Sequence, residues 1–440
     1  MTERWTNWRE NQECRPAKKF MPASVNEVIK IVKEARANGQ KIRVAGTGHS
    51  WTDLVCTDGY LISLDKLNRV ISVDKNISQI TVQAGIKIQD LNDELDRHGL
   101  ALTNMGTISR QSIAGATATG THGTGMKYRN MSTFIVALEI VTADGEILRV
   151  TKDDEIFNAV CLNLGAFGIV TQITLQCEPA FGIHTKEELI PFNTVSDKLE
   201  EYIDNTDYLH VMDFPHTGYS YLMFMNRIRT PFEKSELEKL IHKKKSQVLR
   251  GSILALITAS NIVPSSTKKL TKAVIKPEFV YREATGKSYT MLTFEMEILF
   301  KYHEMEYAIK KGHIADVLKR LRKMIEENDL DINMPITLRF VKGDDLWLSP
   351  TYRQDSCYFS LTMGGSGRLA DRYEEYFRSG EKIFIEYKGR PHWGKHFYVD
   401  LDYIKSLYPK FDDFKRLRDK LDPKRMFCND YLDRLFPESR

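Results

Sequence analysis

The stretch Val44-Ala45-Gly46-Thr47-Gly48-His49-Ser50-Trp51 constrains this chain more than any other. An apolar run, Ile42 to Ala45, leads into it and reads as a strand. Two glycines then let the backbone turn sharply and present consecutive N–H groups, a concave row of donors that suits a diphosphate. A histidine, a hydroxyl and a large aromatic follow at once. Alone, a Gly-x-Gly is an ordinary strand-to-loop turn. Two further stretches change its weight. Ile113-Ala114-Gly115-Ala116-Thr117-Ala118-Thr119-Gly120-Thr121-His122-Gly123-Thr124-Gly125 is nearly devoid of large side chains, so a flat, bulky ligand can approach its backbone closely. Leu164-Gly165-Ala166-Phe167-Gly168-Ile169-Val170 leads into another strand. Neither a G-x-G-x-x-G fingerprint nor a G-x-x-x-x-G-K-S/T loop occurs, which argues against a Rossmann nucleotide site and a P-loop.

At 440 residues the chain is long enough for two domains with separate cores. Its net charge of +4 is too small to argue for nucleic acid, and no zinc-finger or RNP signature is present. Six cysteines, at 14, 56, 161, 177, 357 and 428, form no C-x-x-C. Scattered reduced thiols are expected, rather than a metal site or a redox pair. The polar, charged start, Met1 to Glu10, is no signal peptide, and a cytoplasmic location is expected. The longest apolar run, Ile253 to Val263, is shorter than the ~20 residues a bilayer demands. Lysines flank it on both sides, yet a buried helix accounts for it better than contact with a membrane surface.

Ser24-Val25-Asn26-Glu27 is a capping-box pattern, and Val25, Val28, Ile29, Val32 and Ala35 then recur at helical spacing up to Asn38-Gly39. Strands are expected at Lys41–Ala45, Tyr60–Leu64, Val70–Val73 and Gln79–Ala84. A second helix carries Ile88, Leu91 and Leu95 and ends at Gly99. Thr133–Thr142 and Glu146–Val150 read as a hairpin around Asp144-Gly145. Asp154–Cys161 reads as a short helix and Ile169–Gln176 as a strand, with Pro179 closing the domain. This mixture is not a regular βαβ alternation, so the class is α+β. Beyond it, Phe232–Leu249 reads as a charged helix and Met291–Phe300 as a strand. Ile314, Val317, Leu318, Leu321 and Ile325 mark the apolar face of another helix. Ile336–Val341, Cys357–Met363 and Ile383–Tyr387 are strand candidates.

Together the three glycine-rich stretches resemble the FAD-binding (PCMH-type) domain of the vanillyl-alcohol oxidase family. The resemblance is closest to its sugar-oxidising branch, the aldonolactone oxidases and alditol oxidase. It is strong over roughly the first 180 residues and returns at Arg390-Pro391-His392-Trp393-Gly394-Lys395 and at Asp422-Pro423-Lys424-Arg425-Met426-Phe427. Between these it is loose. It implies an α+β FAD-binding domain of two subdomains over residues 1–180. It further implies a substrate domain over 181–395, with a mixed or antiparallel sheet covered by helices, and a segment, 396–440, that returns to the FAD domain. FAD would be held by Gly46, Thr47, Gly48, Ser50 and Trp51, and by Gly106, Thr107, Ser112 and Gly115. Thr119, Gly120, His122 and Gly123 would add to the cradle, as would Ile169, His392 and Lys395. No metal is called for.

In that family a histidine at the place of His49 bonds covalently to a methyl group on the flavin's benzenoid ring. Such a bond raises the flavin's potential and makes it a better hydride acceptor. Without it, His49 would hydrogen-bond across the turn. Pro391-His392-Trp393-Gly394-Lys395 is similar to the His-Trp-x-Lys signature of the sugar oxidases, whose ammonium orients a substrate hydroxyl and stabilises negative charge. Ile336-Thr337-Leu338-Arg339-Phe340 resembles the family's Glu-x-Arg strand, and a period of two places residues 337 and 339 on one face. The arginine is kept. Thr337 replaces the glutamate, and a threonine cannot act as a base near neutral pH. In Tyr358-Phe359-Ser360-Leu361-Thr362, Ser360 stands where relatives have His or Asn, while Thr362 fits the alditol-oxidase pattern. His122 and His392 are expected to support loops, and Glu304, Glu306 and Tyr307 to pack. Gly106 falls beside the flavin's reactive edge, where oxidases of the gulonolactone type carry glycine and a related plant dehydrogenase alanine. It favours dioxygen as electron acceptor, unless it only permits a turn with positive φ.

The chain is therefore expected to be an FAD-dependent oxidase. It would take a hydride from a CH–OH group of a sugar lactone, polyol or related carbohydrate, with Lys395, Arg339, Thr337 and Thr362 at the substrate. Electrons would pass to O2 to form hydrogen peroxide. The altered residues leave two alternatives: oxidation of a different alcohol, on a nucleoside or natural product, or a flavin-binding protein with little sugar-oxidase activity.

Overall fold

Local signals and long-range packing agree over the first part of the chain. In the computed structural model, which describes residues 3–228, 251–276, 282–293 and 300–438, Ser24 caps the helix Val25–Ala37 by accepting from the Glu27 N–H. Val28, Ile31, Val32 and Ala35 are its buried face. A parallel sheet of three strands has the order Lys18–Phe20, Tyr60–Ser63, Ile42–Ala45. An antiparallel sheet of five has the order Ile147–Thr151, Ile135–Val141, Ile169–Gln176, Gln79–Gln83, Val70–Asp74. In Ile169–Gln176 the alternate residues Ile169, Thr171, Ile173 and Leu175 are buried and those between are half-buried, the period expected of a strand. One apolar cluster joins Val28, Ile42, Val82, Ile140 and Phe167 with Ile404, Phe414, Phe427 and Phe436 from the far end of the chain. The Ile42 N–H donates to the Met426 carbonyl at 2.7 Å.

The second body is an eight-stranded sheet in which every pairing is antiparallel. Its order is Arg282–Lys287, Gly182–Pro191, Tyr219–Ile228, Tyr208–Asp213, Ile336–Val341, Ser356–Gly364, Tyr302–Lys310, Arg390–Pro391. The helices Phe192–Asp204, Ile314–Glu327 and Tyr373–Glu386 cover one face. Met305, Tyr307, Ile309, Leu338, Phe359 and Leu361 pack into that layer. The residues between them, Glu304, Glu306, Thr337, Arg339, Ser360 and Thr362, belong to the opposite face and to one another's register. The molecule is thus α+β, with a polar sheet face turned away from the second core.

Several expectations need correction. Ile383–Tyr387 is not a strand: it ends the helix Tyr373–Glu386, whose buried Tyr376, Phe377, Gly380, Ile383 and Phe384 have helical spacing. A short apolar run cannot by itself separate strand from helix. Met291 and Leu292 close a short helix, Ser288–Leu292, and residues 294–299 lie outside the described residues. The charged helix expected at Phe232–Leu249 also lies outside them. The run Ile253–Val263 is helical over 251–262, but only one face is buried, through Leu256, Ile257, Ser260 and Asn261. Leu254, Ile262 and Val263 are exposed. No described helix is long and apolar enough to cross a membrane.

Candidate active site

The strand Ile42–Ala45 delivers its backbone into a cleft of about 960 Å³, open solvent included. Gly46, Thr47, Gly48, His49 and Ser50 line one wall, and Ser112, Gly115 and Thr119 the facing one. The walls approach so closely that a Cβ at Gly46 would stand 2.6 Å from Ser112 Oγ. Any side chain at Gly46 would have to displace the Ser112 hydroxyl. The third glycine-rich stretch closes the cleft with Leu164, Gly165, Gly168 and Val170. Ile169, expected at the cofactor, turns into the core instead and is fully buried. Arg43 holds these walls together: its buried guanidinium donates to the carbonyls of Leu54, Leu164, Gly165 and Phe427. No motif in the sequence marked it.

His49 opens onto this cleft, with its ring stacked on Trp8 at 5.5 Å. Its Nδ1 is buried and makes no hydrogen bond among the described residues. Burial first, then the charges of Lys395 and Arg110, push its pKa down to about 4. A neutral imidazole with a free ring nitrogen is nucleophilic at neutral pH. The glycine cradle and this nitrogen fit an FAD, which the backbone of Gly46–Ser50 would hold.

The other residues converge on the polar sheet face. The turn His392–Lys395 docks against the first motif: the Trp51 N–H donates to Gly394 O at 2.8 Å, and a Cβ at Gly394 would come within 3.2 Å of Ser50 Oγ. Lys395 pairs with Glu304 and places its ammonium 4.3 Å from the Trp51 ring centre. Arg339 pairs with Glu306 and reaches the His122 carbonyl at 3.5 Å. Ser360 donates to Glu306 at 2.7 Å. His122 stacks on Tyr358, ring centres 3.6 Å apart. Thr337 and Ser360 are direct cross-strand neighbours, as are Thr362 and Glu304. Gly106 packs against Thr121, just before His122. Thr107, Gly120 and Gly123 do not line the cleft and belong to the loops that lead from it.

Glu304 and Glu306 are the residues the sequence reading missed. Both are buried, Glu306 completely, and both face the site, whereas Tyr307 packs on the far side with its hydroxyl on Glu381. Burial disfavours charge on Glu306, but the Arg339 guanidinium, with Lys395 beyond it, outweighs it and holds the carboxyl well below the usual carboxylate range. Burial likewise opposes the Arg339 charge, and Glu306 and Glu304 restore it. His392 is pushed down to about 3, mainly by burial, and is neutral. The donor atoms of His122, Glu306 and His392 lie within 4.8 Å of one another, but the guanidinium on Glu306 disfavours a metal cation there. Two buried ion pairs side by side are costly for a fold and are commonly retained for chemistry.

A cradle shaped for FAD, abutting buried cations and carboxylates, defines a flavoprotein oxidoreductase of the kind that acts on CH–OH donors. Comparison with known proteins gives the particular family. Residues 16–151 match an FAD-binding domain, and residues 173–435 match the D-arabinono-1,4-lactone oxidase family, to which this chain belongs. The match runs through the middle of the chain, where the motifs alone are loose. L-gulonolactone oxidase of Scyliorhinus torazame is 34% identical over 99% of both chains. L-gulono-1,4-lactone dehydrogenase of Mycobacterium tuberculosis is 33% identical, again over 99% of both. Among solved structures, a solvent-stable cholesterol oxidase superposes with a TM-score of 0.80 at 17% identity, covering 99% of this chain and 97% of its own, and shows the same fold.

Proposed function

We propose that the protein oxidises a secondary or primary alcohol of an aldonolactone or a related carbohydrate, with FAD attached through His49 and dioxygen as the acceptor. The observation that carries this is the meeting of the His49 cleft with the Lys395 cation through the Trp51–Gly394 contact, next to the sheet face that carries the Arg339–Glu306 pair. Residues 1–180 and 396–440 form the cofactor body in this reading, and 181–395 present the substrate. FAD held in the cleft would supply the hydride acceptor for the carbinol carbon. Lys395 and Arg339 orient the hydroxyl and stabilise negative charge on its oxygen, each held in place by its own carboxylate. Thr337 and Thr362 flank Ser360 on the same face and would bound the space offered to the substrate there.

Anaerobic addition of aldonolactones should bleach the yellow protein, and air should restore it. The flavin should stay with acid-precipitated wild-type chain and leave acid-precipitated His49→Ala, which still binds FAD reversibly through the backbone cradle. Flavin fluorescence surviving in the denatured His49→Ala band would mean that another residue carries the bond. A second reading has a specific basis, because Thr337 removes a carboxylate from beside Arg339. An alcohol less polar than a lactone would then be the preferred substrate, and a wider panel in the same bleaching assay decides between them.

A further inference from the structure

We propose that Ser360, Glu306 and His122 form the path that takes the proton from the substrate hydroxyl, an inference that rests on the function proposed above. The problem it answers is chemical. Oxidation of a carbinol releases a hydride and a proton, and Thr337 cannot serve as the base. Lys395 is already engaged as a donor to Glu304.

The polar sheet face holds an acceptor instead. Ser360 Oγ donates to Glu306 Oε1 at 2.7 Å, and Arg339 holds the same oxygen. The other oxygen, Oε2, faces His122 Nε2 at 3.5 Å, longer than an ordinary hydrogen bond. Both atoms are buried, and neither has a hydrogen-bond partner among the described residues. His122 Nδ1 lies 2.9 Å from the Gly123 carbonyl, which can only accept. In the neutral ring, Nδ1 therefore carries the hydrogen and Nε2 presents its lone pair. Burial and Arg339 lower the His122 pKa, so the ring is neutral, and Glu306 is ionised. Two acceptors thus face each other across a gap that a single proton would bridge. The groups turned toward this pair are Arg339, His210, Tyr358, His392, Lys395 and Glu304.

The transfer balances as follows in atoms and electrons. The hydroxyl proton passes to Ser360 Oγ as Ser360 gives its own proton to Glu306 Oε1. The terminal carboxyl torsion is broad and two-fold, so a half-turn brings that proton against His122 Nε2. The C–H electron pair leaves as hydride to bound FAD, and the carbon–oxygen double bond forms. Reduction of dioxygen to hydrogen peroxide later consumes the stored proton.

The test combines stopped-flow flavin reduction by an aldonolactone, as a function of pH, with 15N NMR of histidine-labelled holoprotein. In wild type, reduction should be flat with pH around neutrality and fall in acid as the pair fills. Ser360→Ala and His122→Phe leave the Arg339–Glu306 pair intact, so they test the path even if Glu306→Gln fails to fold. Each should reduce roughly 10²–10⁴-fold more slowly, with a rate that rises with pH and has no plateau. The NMR signal missing from His122→Phe assigns His122. It should show a neutral Nδ1–H ring at pH 7 that becomes imidazolium along the acid limb of the rate profile. Wild-type rates and pH profiles in both variants would overturn the proposal alone, as would an imidazolium at His122 already at pH 7. If no lactone or polyol reduces the wild-type flavin, the functional reading fails and takes the proposal with it.

Discussion

At the scale of single residues, Arg339 and Lys395 look interchangeable in the sequence, each a cation in a recognisable motif. The structure separates them. The two cations are about equally accessible, at 10% and 13% of their side chains, but Glu306 beside Arg339 has no exposed surface while Glu304 beside Lys395 keeps 9%. Removing Arg339 leaves a buried carboxylate without its cation, a loss of about 3–5 kcal/mol in comparable pairs. Arg339→Met should therefore unfold at distinctly lower denaturant than wild type, and Arg339→Met with Glu306→Leu should recover much of that stability without recovering flavin reduction. Lys395→Met should lose less stability than Arg339→Met, because Glu304 keeps some access to water, and should reduce more slowly, by about 10²–10³-fold. Chemical denaturation beside stopped-flow reduction checks both, and equal stability losses in the two variants would contradict the asymmetry. His49, Lys395 and Arg339 could be singled out from the sequence because each sits in a short motif. Glu306 could not, because a Glu-Met-Glu-Tyr run reads as an ordinary alternating strand until its neighbours Ser360 and Arg339 are placed beside it.

At the scale of elements, periodicity carried most of the information. The strands Ile169–Gln176 and Ile336–Val341 and the helix Ile314–Glu327 follow their patterns because each buries one clean face. Ile383–Tyr387 did not, since three adjacent apolar residues fit both periods and only the preceding Tyr376, Phe377 and Gly380 reveal the helix. The loop carrying Gly106 shows what a pattern cannot supply. Its φ is not positive, so a turn requirement does not explain the glycine. Space does: a Cβ there would meet Thr121 Cγ2 at 2.7 Å and approach the His122 carbonyl at 3.6 Å. Gly106→Ala should slow reoxidation of the reduced flavin by air-saturated buffer while changing substrate reduction little. Thr121→Ser removes the clashing methyl, so the double variant Gly106→Ala/Thr121→Ser separates a narrowed path from a displaced loop. Slow reoxidation that persists in the double variant supports a blocked oxygen path. Reoxidation restored to the wild-type rate places the effect in the loop and removes Gly106 from the argument about the acceptor. The relatives leave that acceptor open, since an oxidase and a dehydrogenase are about equally similar.

At the scale of the whole molecule, the two bodies meet over a layer of buried polar groups, and this gives the fold a particular weakness in acid. The chain has 11 histidines, and the sequence cannot say which of them titrate. Burial decides. His210 and His392 lie where the sheet face meets the glycine loops, each only 5% exposed, and burial pushes both pKa values to about 3. In the unfolded chain both return to about 6.5. Between these values the unfolded state binds protons that the folded state excludes, so stability rises with pH across that window. Each histidine's contribution is complete above about pH 6.5 and is lost on acidification toward pH 3, by at most about 1.4 kcal/mol per pH unit. Glu306 acts lower on the scale. Its folded pKa is depressed, so its contribution holds above the ordinary glutamate value and disappears only as pH falls through the folded one. The urea midpoint should therefore drop steadily from pH 6.5 to 4.5, before most carboxylates protonate, with the uptake of several protons on unfolding, because burial also lowers His122, His216, His303 and His396. His210→Leu, which cannot titrate, should flatten the slope over that interval by one histidine's share and lower the proton uptake on unfolding by about one. A midpoint that is constant from pH 7 to 5 would show that these rings accept protons in the folded state, and that the layer between the bodies is wetter than its packing implies.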